Sequence, residues 1–306
     1  MLRLAHISDL HYSDSFRVPL ARLACKRIAG YVNLVLHRRL QHDPDLGSLL
    51  LESLRGQEID HLAVTGDLTN LSLGKEFSGA RRLLLESGLT PDEITVIPGN
   101  HDRYTGGSER SRRFEGYLSP FMRSDIPLPG GGFPLVRLRD GVALIGLNTA
   151  LSQPPLVAGG KIGVPQGTRL EVLMGHGELR GRFPVFLLHH PPFREMRGPL
   201  HYLEGLRDYR RFLDAVTARG ALMLHGHLHR SLFGKIETGG KTFWIGGAAS
   251  TTFKLEGSRS LRISSYTIFD IDREGIKTVR RFTLNRRRMA YEPREIGLDE
   301  FRTIRP

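Results

Sequence analysis

Five short clusters of oxygen and nitrogen donors punctuate the sequence: Asp9-Leu10-His11, Gly66-Asp67, Gly99-Asn100-His101-Asp102, His189-His190 and Gly226-His227-Leu228-His229. Carboxylates, an amide and imidazoles suit divalent cations of intermediate hardness, and no thiolate stands among them. In an extended segment, residues two apart face the same way. Asp9 with His11, and His227 with His229, are therefore expected to aim two donors each at one place. Helical zinc motifs space their histidines differently, at i and i+4. Singly, each cluster has a plainer reading: a lone buried histidine is usually a hydrogen-bonded core residue, and Gly-Asp or Asn alone passes as turn chemistry. Together, each at the end of an apolar run, they point to a metal site.

The runs that carry these clusters are Leu2 to Ile7, Ile59 to Val64, Ile94 to Ile97, Val142 to Leu147, Val185 to Leu188 and Ala221 to Leu224. Their length and apolar character predict core strands. Between them, Lys75 to Ser87 and Glu204 to Arg219 repeat apolar residues at three and four spacing, which predicts amphipathic helices with Gly88 and Gly220 as C-caps. Alternating strands and helices imply a layered α/β fold, in which sites form beyond the carboxyl ends of the strands. From Thr242 onward the pattern becomes β-rich, over about 242–290, with a hairpin from Tyr266–Ile271 through Arg273, Glu274 and Gly275 into Ile276–Leu284. Pro127 to Pro134, with Gly130, Gly131 and Gly132, marks a surface loop. With no internal repeat and no long linker, one domain spanning 1–306 is expected.

Composition narrows the class. Of 306 residues, 40% are hydrophobic and 25% charged, which excludes disorder and fibrous repeats. A single cysteine, Cys25, excludes a disulfide scaffold and a cysteine zinc site, and suggests a reducing compartment. The net charge of +12 suggests an anionic partner. No apolar run is long enough for a transmembrane helix, and Met1 to Ile7 is too short for a signal peptide, so a cytoplasmic location is expected.

As a set and in this order, the five clusters resemble the motifs of the calcineurin-like metallophosphoesterases, from Asp9 to His229. The resemblance implies a four-layer α/β/β/α sandwich and two metal ions, of manganese, iron or zinc, divalent or of mixed valence. By motif position Asp9, His11 and His229 would bind the first metal, Asn100, His189 and His227 the second, and Asp67 would bridge them. His190 would be a neighbour, and His225 belongs to the strand. The matching histidine of the family assists the leaving alkoxide, which implies a catalytic general-acid role for His101. For Asp102, orienting His101 and accepting turn hydrogen bonds both stay open. The reaction implied is hydrolysis of a phosphate ester by a metal-bridging hydroxide.

Departures within the superfamily sharpen the expectation. Purple acid phosphatases place a tyrosine ligand three residues after the bridging aspartate, where this sequence has Asn70. Protein phosphatases extend that motif with an arginine-containing sequence, which Asp67-Leu68-Thr69-Asn70 lacks. His189-His190-Pro191-Pro192 with Gly99-Asn100-His101-Asp102 is most similar to the bacterial branch that includes class III cyclic nucleotide phosphodiesterases. A phosphodiesterase for a small nucleotide-like or lipid-linked diester is the leading expectation. The alternatives are a UDP-2,3-diacylglucosamine diphosphatase-like hydrolase at a membrane surface, a nuclease, and a metal-binding interaction scaffold. Nucleic acid is disfavoured by the 8% aromatic content, with few rings to stack on bases.

Charge outside the motifs is concentrated in two places. Fifty-eight positions separate Asp9 from Asp67, against about 30 residues for a strand-helix-strand unit, so a basic helical insertion is expected at about 13–45. Arg17, Arg22, Lys26, Arg27, Arg38 and Arg39 lie there beside an apolar stripe. The segment reads as a packed helix with a solvated basic face, or as a contact with an anionic membrane or lipid through 17–40 at the inner face of a membrane. Arg280, Arg281 and Arg286 to Arg288, on or after the last strand, read as a solvated edge. Gly159-Gly160-Lys161 and Gly246-Gly247 fit close packing as well as phosphate contact.

Overall fold

The computed structural model describes residues 1–12, 43, 45–154, 157–194, 199–253 and 262–305. The expected basic insertion and its membrane-facing segment 17–40 therefore lie almost wholly outside the described residues. Among those described, no helix is long and apolar enough to cross a membrane.

The apolar runs become strands. In the first sheet β1 (Leu2–Ile7), β2 (His61–Val64) and β3 (Ile94–Val96) run parallel. In the second sheet β4 (Leu135–Arg139) pairs antiparallel with β5 (Val142–Gly146). β6 (Phe183–Leu188) and β7 (Gly220–His225) continue the second sheet in parallel with β5. The tail completes both sheets. β8 (Leu232–Thr238) and β9 (Lys241–Gly247) join the second, whereas β10 (Ser265–Asp272), β11 (Gly275–Asn285) and β12 (Ala290–Glu295) extend the first from β1. A two-residue strand, β13 (Arg302–Thr303), edges the second sheet. Among the described residues the sheets have six and seven strands.

Alternation along β6 shows how the layers form. Val185 and Leu187 enter the core shared with the first sheet, with Leu4, Ile7 and Phe269. Phe186 and Leu188 face the other way, toward Leu170, Leu173, Phe212 and Leu213. The last four belong to helices α5 (Val164–Met174) and α7 (Tyr209–Ala215). On the first sheet, α1 (Asp45–Arg55) and α2 (Gly74–Leu85) bury Leu50, Leu54, Phe77 and Leu84 in its core. Two short helices, α3 (Gly106–Arg110) and α4 (Arg113–Leu118), follow the β3 loop. The result is the four-layer α/β/β/α sandwich.

Three local expectations are corrected. The helix expected over 204–219 is two helices, α6 (Pro199–Glu204) and α7, because Gly160 draws the intervening chain away. Gly160 N donates to Gly205 O at 3.0 Å, and Gly160 O accepts from Arg207 N at 3.0 Å. Gly220 is the first residue of β7 and not a cap. Arg280 and Arg281 lie on an interior strand, since β12 covers β11; Arg280 pairs with Asp270 at 3.4 Å.

Candidate metal centre

Five parallel strands end on one side of the sandwich, and every donor cluster stands just past such an end. Asp9 and His11 follow β1, Asp67 follows β2, Asn100 and His101 follow β3, His189 follows β6, and His227 and His229 follow β7. The backbone there is not extended. Asp9, His11, Asp67, His227 and His229 have φ of 54°, 44°, 51°, 67° and 49°, in the left-handed region that side chains seldom adopt. Such strain persists only where surroundings enforce it, and it clusters at functional sites. Close approach is part of the enforcement: a Cβ on Gly99 would lie 2.1 Å from Asp67 Oδ1 and 2.3 Å from Asp67 N. The left-handed turns also revise the expected pairing, because His227 and His229 do not converge but divide between two groups.

In the first group Asp9, His11, Asp67 and His229 bring donor atoms within 4.8 Å of one another. His11 Nε2 is 3.1 Å from His229 Nε2, which is 3.2 Å from Asp9 Oδ1. In the second group Asn100 Oδ1 is 3.0 Å from His189 Nε2 and 3.1 Å from His227 Nδ1. Asp67 lies between the groups, with Oδ2 3.9 Å from His11 Nε2 and 3.4 Å from His189 Nε2. All seven expected donors are thus brought together. His190 also reaches the second group. Both its nitrogens are engaged, with Thr149 Oγ1 at 2.8 Å and Ala158 O at 2.7 Å, and its ring packs against that of His227.

The donor set fits cations. His189 Nδ1 donates to Thr65 O at 2.8 Å, and His227 Nε2 donates to Glu204 O at 2.8 Å. In the neutral rings the remaining nitrogens carry lone pairs, and both point at the Asn100 carbonyl oxygen. Three acceptors facing one another call for a cation. Asp9 Oδ1 is buried and makes no hydrogen bond. Burial works to raise the Asp67 carboxyl, but His189, His101 and His11 hold it well below the usual carboxylate range. Burial likewise opposes a charge on His189, yet Asp67 and Asp9 raise it to about 9. Two buried carboxylates demand positive charge, which bound metal ions would supply in place of protons.

Around this centre are residues that the sequence reading missed or left open. The Asp102 carboxylate directs its hydrogen bonds to the β2 and β3 loops. Its Oδ2 accepts from Gly99 N at 2.9 Å and Leu68 N at 3.3 Å, and its Oδ1 accepts from Thr69 N and Thr69 Oγ1, each at 3.0 Å. It staples the β2 and β3 loops together. Burial and then the Asp67 charge raise its carboxyl to about 7. Asn70 does similar work: its Nδ2 donates to His11 O at 2.7 Å, and its carbonyl accepts from His101 Nδ1 at 2.7 Å. His101 also donates its backbone N–H to Asp67 Oδ1 at 2.8 Å. Backbone carbonyls leave no residue-type signal, so Thr65, Asn70 and Glu204 were not legible in these roles. His225 ends β7 as expected. The Gly160 backbone packs over His190, since a Cβ would lie 2.3 Å from its Nδ1. Above the centre opens a cleft of ≈ 350 Å³, whose walls include His101, Glu204, Leu228, Arg230 and Arg262.

No curated protein matches the chain. Among solved structures, purple acid phosphatase PPD1 from yellow lupin (Lupinus luteus) seeds is 12% identical, with a TM-score of 0.54, covering 99% of this chain and 54% of that one. The phosphoesterase Yfce from E. coli is 13% identical, with a TM-score of 0.42, covering 97% and 100%. Wild-type Vps29 from Entamoeba histolytica, solved with zinc, is 14% identical, with a TM-score of 0.42, covering 97% and 99%. At such identities the likeness to the lupin enzyme speaks for the fold alone. The family model for calcineurin-like phosphoesterase matches residues 2–231, a span that holds every donor cluster, and the chain belongs to that family of metal-dependent phosphoric ester hydrolases.

Proposed function

We propose that the protein is a dinuclear metal-dependent phosphodiesterase acting on a small nucleotide-like or lipid-linked phosphodiester. Asp9, His11 and His229 would hold one cation, Asn100, His189 and His227 the other, with Asp67 placed between the two groups. The observation that carries this reading is the place of Asp67 Oδ2, 3.9 Å from a nitrogen of one group and 3.4 Å from a nitrogen of the other. Manganese, iron and zinc all suit the mixed oxygen and imidazole donors.

Two cations, when bound, supply Lewis acidity at the phosphoryl oxygens and a nucleophile at neutral pH. The chain's own residues do the rest. His101 lines the cleft, and its Nδ1–H is held by the Asn70 carbonyl at 2.7 Å. That bond stabilises the imidazolium, whose Nε2–H would be the proton given to the departing alkoxide. Its backbone N–H meanwhile fixes one oxygen of Asp67. His190 and the Glu204 carbonyl hold the His227 ring in place.

The test is manganese-activated hydrolysis of bis-p-nitrophenyl phosphate by wild type, Asp67→Ala and Asn100→Ala, with metal content measured on each protein. Asp67→Ala is expected to lose both activity and bound metal, and Asn100→Ala to bind less metal. Undiminished activity in both variants would refute the two-metal reading.

A further inference from the structure

His190 stands among the donors of the second group and yet serves no cation there. One of its nitrogens lies within 4.8 Å of nitrogens of His189 and His227, close enough for a third imidazole to join them. Both of its nitrogens are committed elsewhere. Ala158 O can only accept, so His190 Nε2 carries the proton in their 2.7 Å hydrogen bond. The ring is fully buried beside two further imidazoles, where a charge is disfavoured, and the neutral form leaves Nδ1 as an acceptor. The Thr149 hydroxyl meets Nδ1 at 2.8 Å and accepts the His190 backbone N–H at 3.3 Å. One buried hydroxyl thus fixes both the backbone and the tautomer of His190. Thr149 lies just beyond β5, which pairs with β6, the strand that leads into His189 and His190. Backbone closes over the pair: a Cβ on Gly160 would lie 2.3 Å from His190 Nδ1 and 2.6 Å from Thr149 O.

Resting on the two-cation reading above, we propose that Thr149 and His190 are positioning residues for the second cation: the hydroxyl locks the His190 imidazole, and that imidazole sets the plane of His227 without becoming a ligand itself. A single hydrogen bond, from His227 Nε2 to Glu204 O at 2.8 Å, fixes one atom of the His227 ring and leaves a swivel about the bond. The His190 ring lies against it, with centroids 4.6 Å apart and planes at 47°, and blocks that swivel. Outer partners that orient a ligand in this way are worth roughly 10- to 100-fold in metal affinity. Without the Thr149 hydroxyl, the Nδ1 lone pair is buried and unpaired, and the ring loses the bond that keeps it out of the second group.

Nitrogen NMR spectra of the histidine rings, recorded as the metal-free protein is titrated with chelator-buffered zinc, follow both sites at once. His11 and His229 report the first cation, His189 and His227 the second. In wild type both pairs should become metal-bound, while His190 keeps its Nε2–H and an unligated Nδ1. Thr149→Val has the shape of threonine without the hydroxyl, and should raise the zinc concentration that half-fills the second site by roughly 10- to 100-fold relative to the first. Thr149→Ser keeps the hydroxyl and should restore most of that ratio. A merely structural role for Thr149 would weaken both sites together or neither, and either result overturns the assignment while the two-cation reading stands. Metal-bound nitrogen shifts at His190 in wild type overturn it as well, a result that requires no variant to fold. If only one pair of rings responds in wild type, the two-cation reading itself fails and the assignment falls with it.

Discussion

Replacing Asp102 tests whether the centre is held by hydrogen-bonded loops or tuned through His101. The carboxylate is buried and accepts from three backbone N–H groups, of Leu68, Thr69 and Gly99, and from the Thr69 hydroxyl. Asp102→Ala leaves those donors without a partner. At about 1–3 kcal/mol for each unsatisfied buried donor, the three backbone groups alone set a loss of roughly 3 kcal/mol as the lower bound. Asp102→Asn keeps one acceptor oxygen and can place its amide toward the Thr69 hydroxyl, so about one backbone bond is lost, at roughly 1–3 kcal/mol. Urea denaturation of the chelated protein measures both. Because the staple fixes the loops that carry Asp67 and Asn100, manganese affinity should fall in the same order, Ala more than Asn. If Asp102 instead tuned His101, Asn would shift the pH–rate profile while leaving stability within about 0.5 kcal/mol of wild type, the range of substitutions that disturb nothing. That pattern would refute the staple.

Two further outcomes follow from groups beside and beneath the centre. His101→Ala should cost far more, by about 10² or greater, with an alkyl phosphodiester than with a p-nitrophenyl ester, whose leaving group needs little protonation; equal losses in paired rate measurements would count against the general acid. His61, buried against Thr95 at 2.8 Å, is lowered to about 3 by burial and then by Arg139 and Arg137. The unfolded chain binds this proton near pH 6.5 and the native protein does not, so its contribution is complete above 6.5 and is lost as pH falls toward 3. At about pH 4.5 the loss amounts to ~2–3 kcal/mol. His61→Gln, which keeps a donor for Thr95, should lose that much less stability between pH 7 and about 4.5 in urea titrations, and an unchanged slope would reject the assignment.

The legible part of the site was residue type at a strand end. Each donor cluster follows an apolar run, and parallel strands place such ends on one edge, so the convergence of seven donors is implied by the sequence pattern. Backbone shape was not legible. Nothing in Asp9-Leu10-His11 announces two left-handed residues, because the loops impose them through tertiary bonds such as Asp9 N to Gly66 O at 3.0 Å and His11 N to Asp67 O at 2.9 Å. The break after Glu204 was hidden for the same reason. Leu206, Tyr209, Phe212, Leu213 and Val216 are buried as the helical spacing required, but the first of them is reached by strand-like pairing with Gly160. Periodicity reports which residues face inward, and not whether one helix carries them all.

The division of donors between the sheets bears on what cation binding does to the whole fold. Asp9, His11, Asp67 and Asn100 come from strand ends of the first sheet, and His189, His227 and His229 from the second. Each half of the centre therefore draws on both sheets. Hydrogen bonds already cross the same boundary without metal: His227 N donates to Asp9 Oδ2 at 3.1 Å, and His189 Nδ1 to Thr65 O at 2.8 Å. These bonds hold the donors near their working positions, so little ordering remains for the cations to drive, and metal affinity is gained by that preorganisation. In return, any cation that binds the native arrangement and not the unfolded chain stabilises the contact between the sheets by mass action. On the proposed two-cation reading, stability and catalysis share one set of side chains, and a substitution that separates the sheets at their strand ends is expected to weaken both.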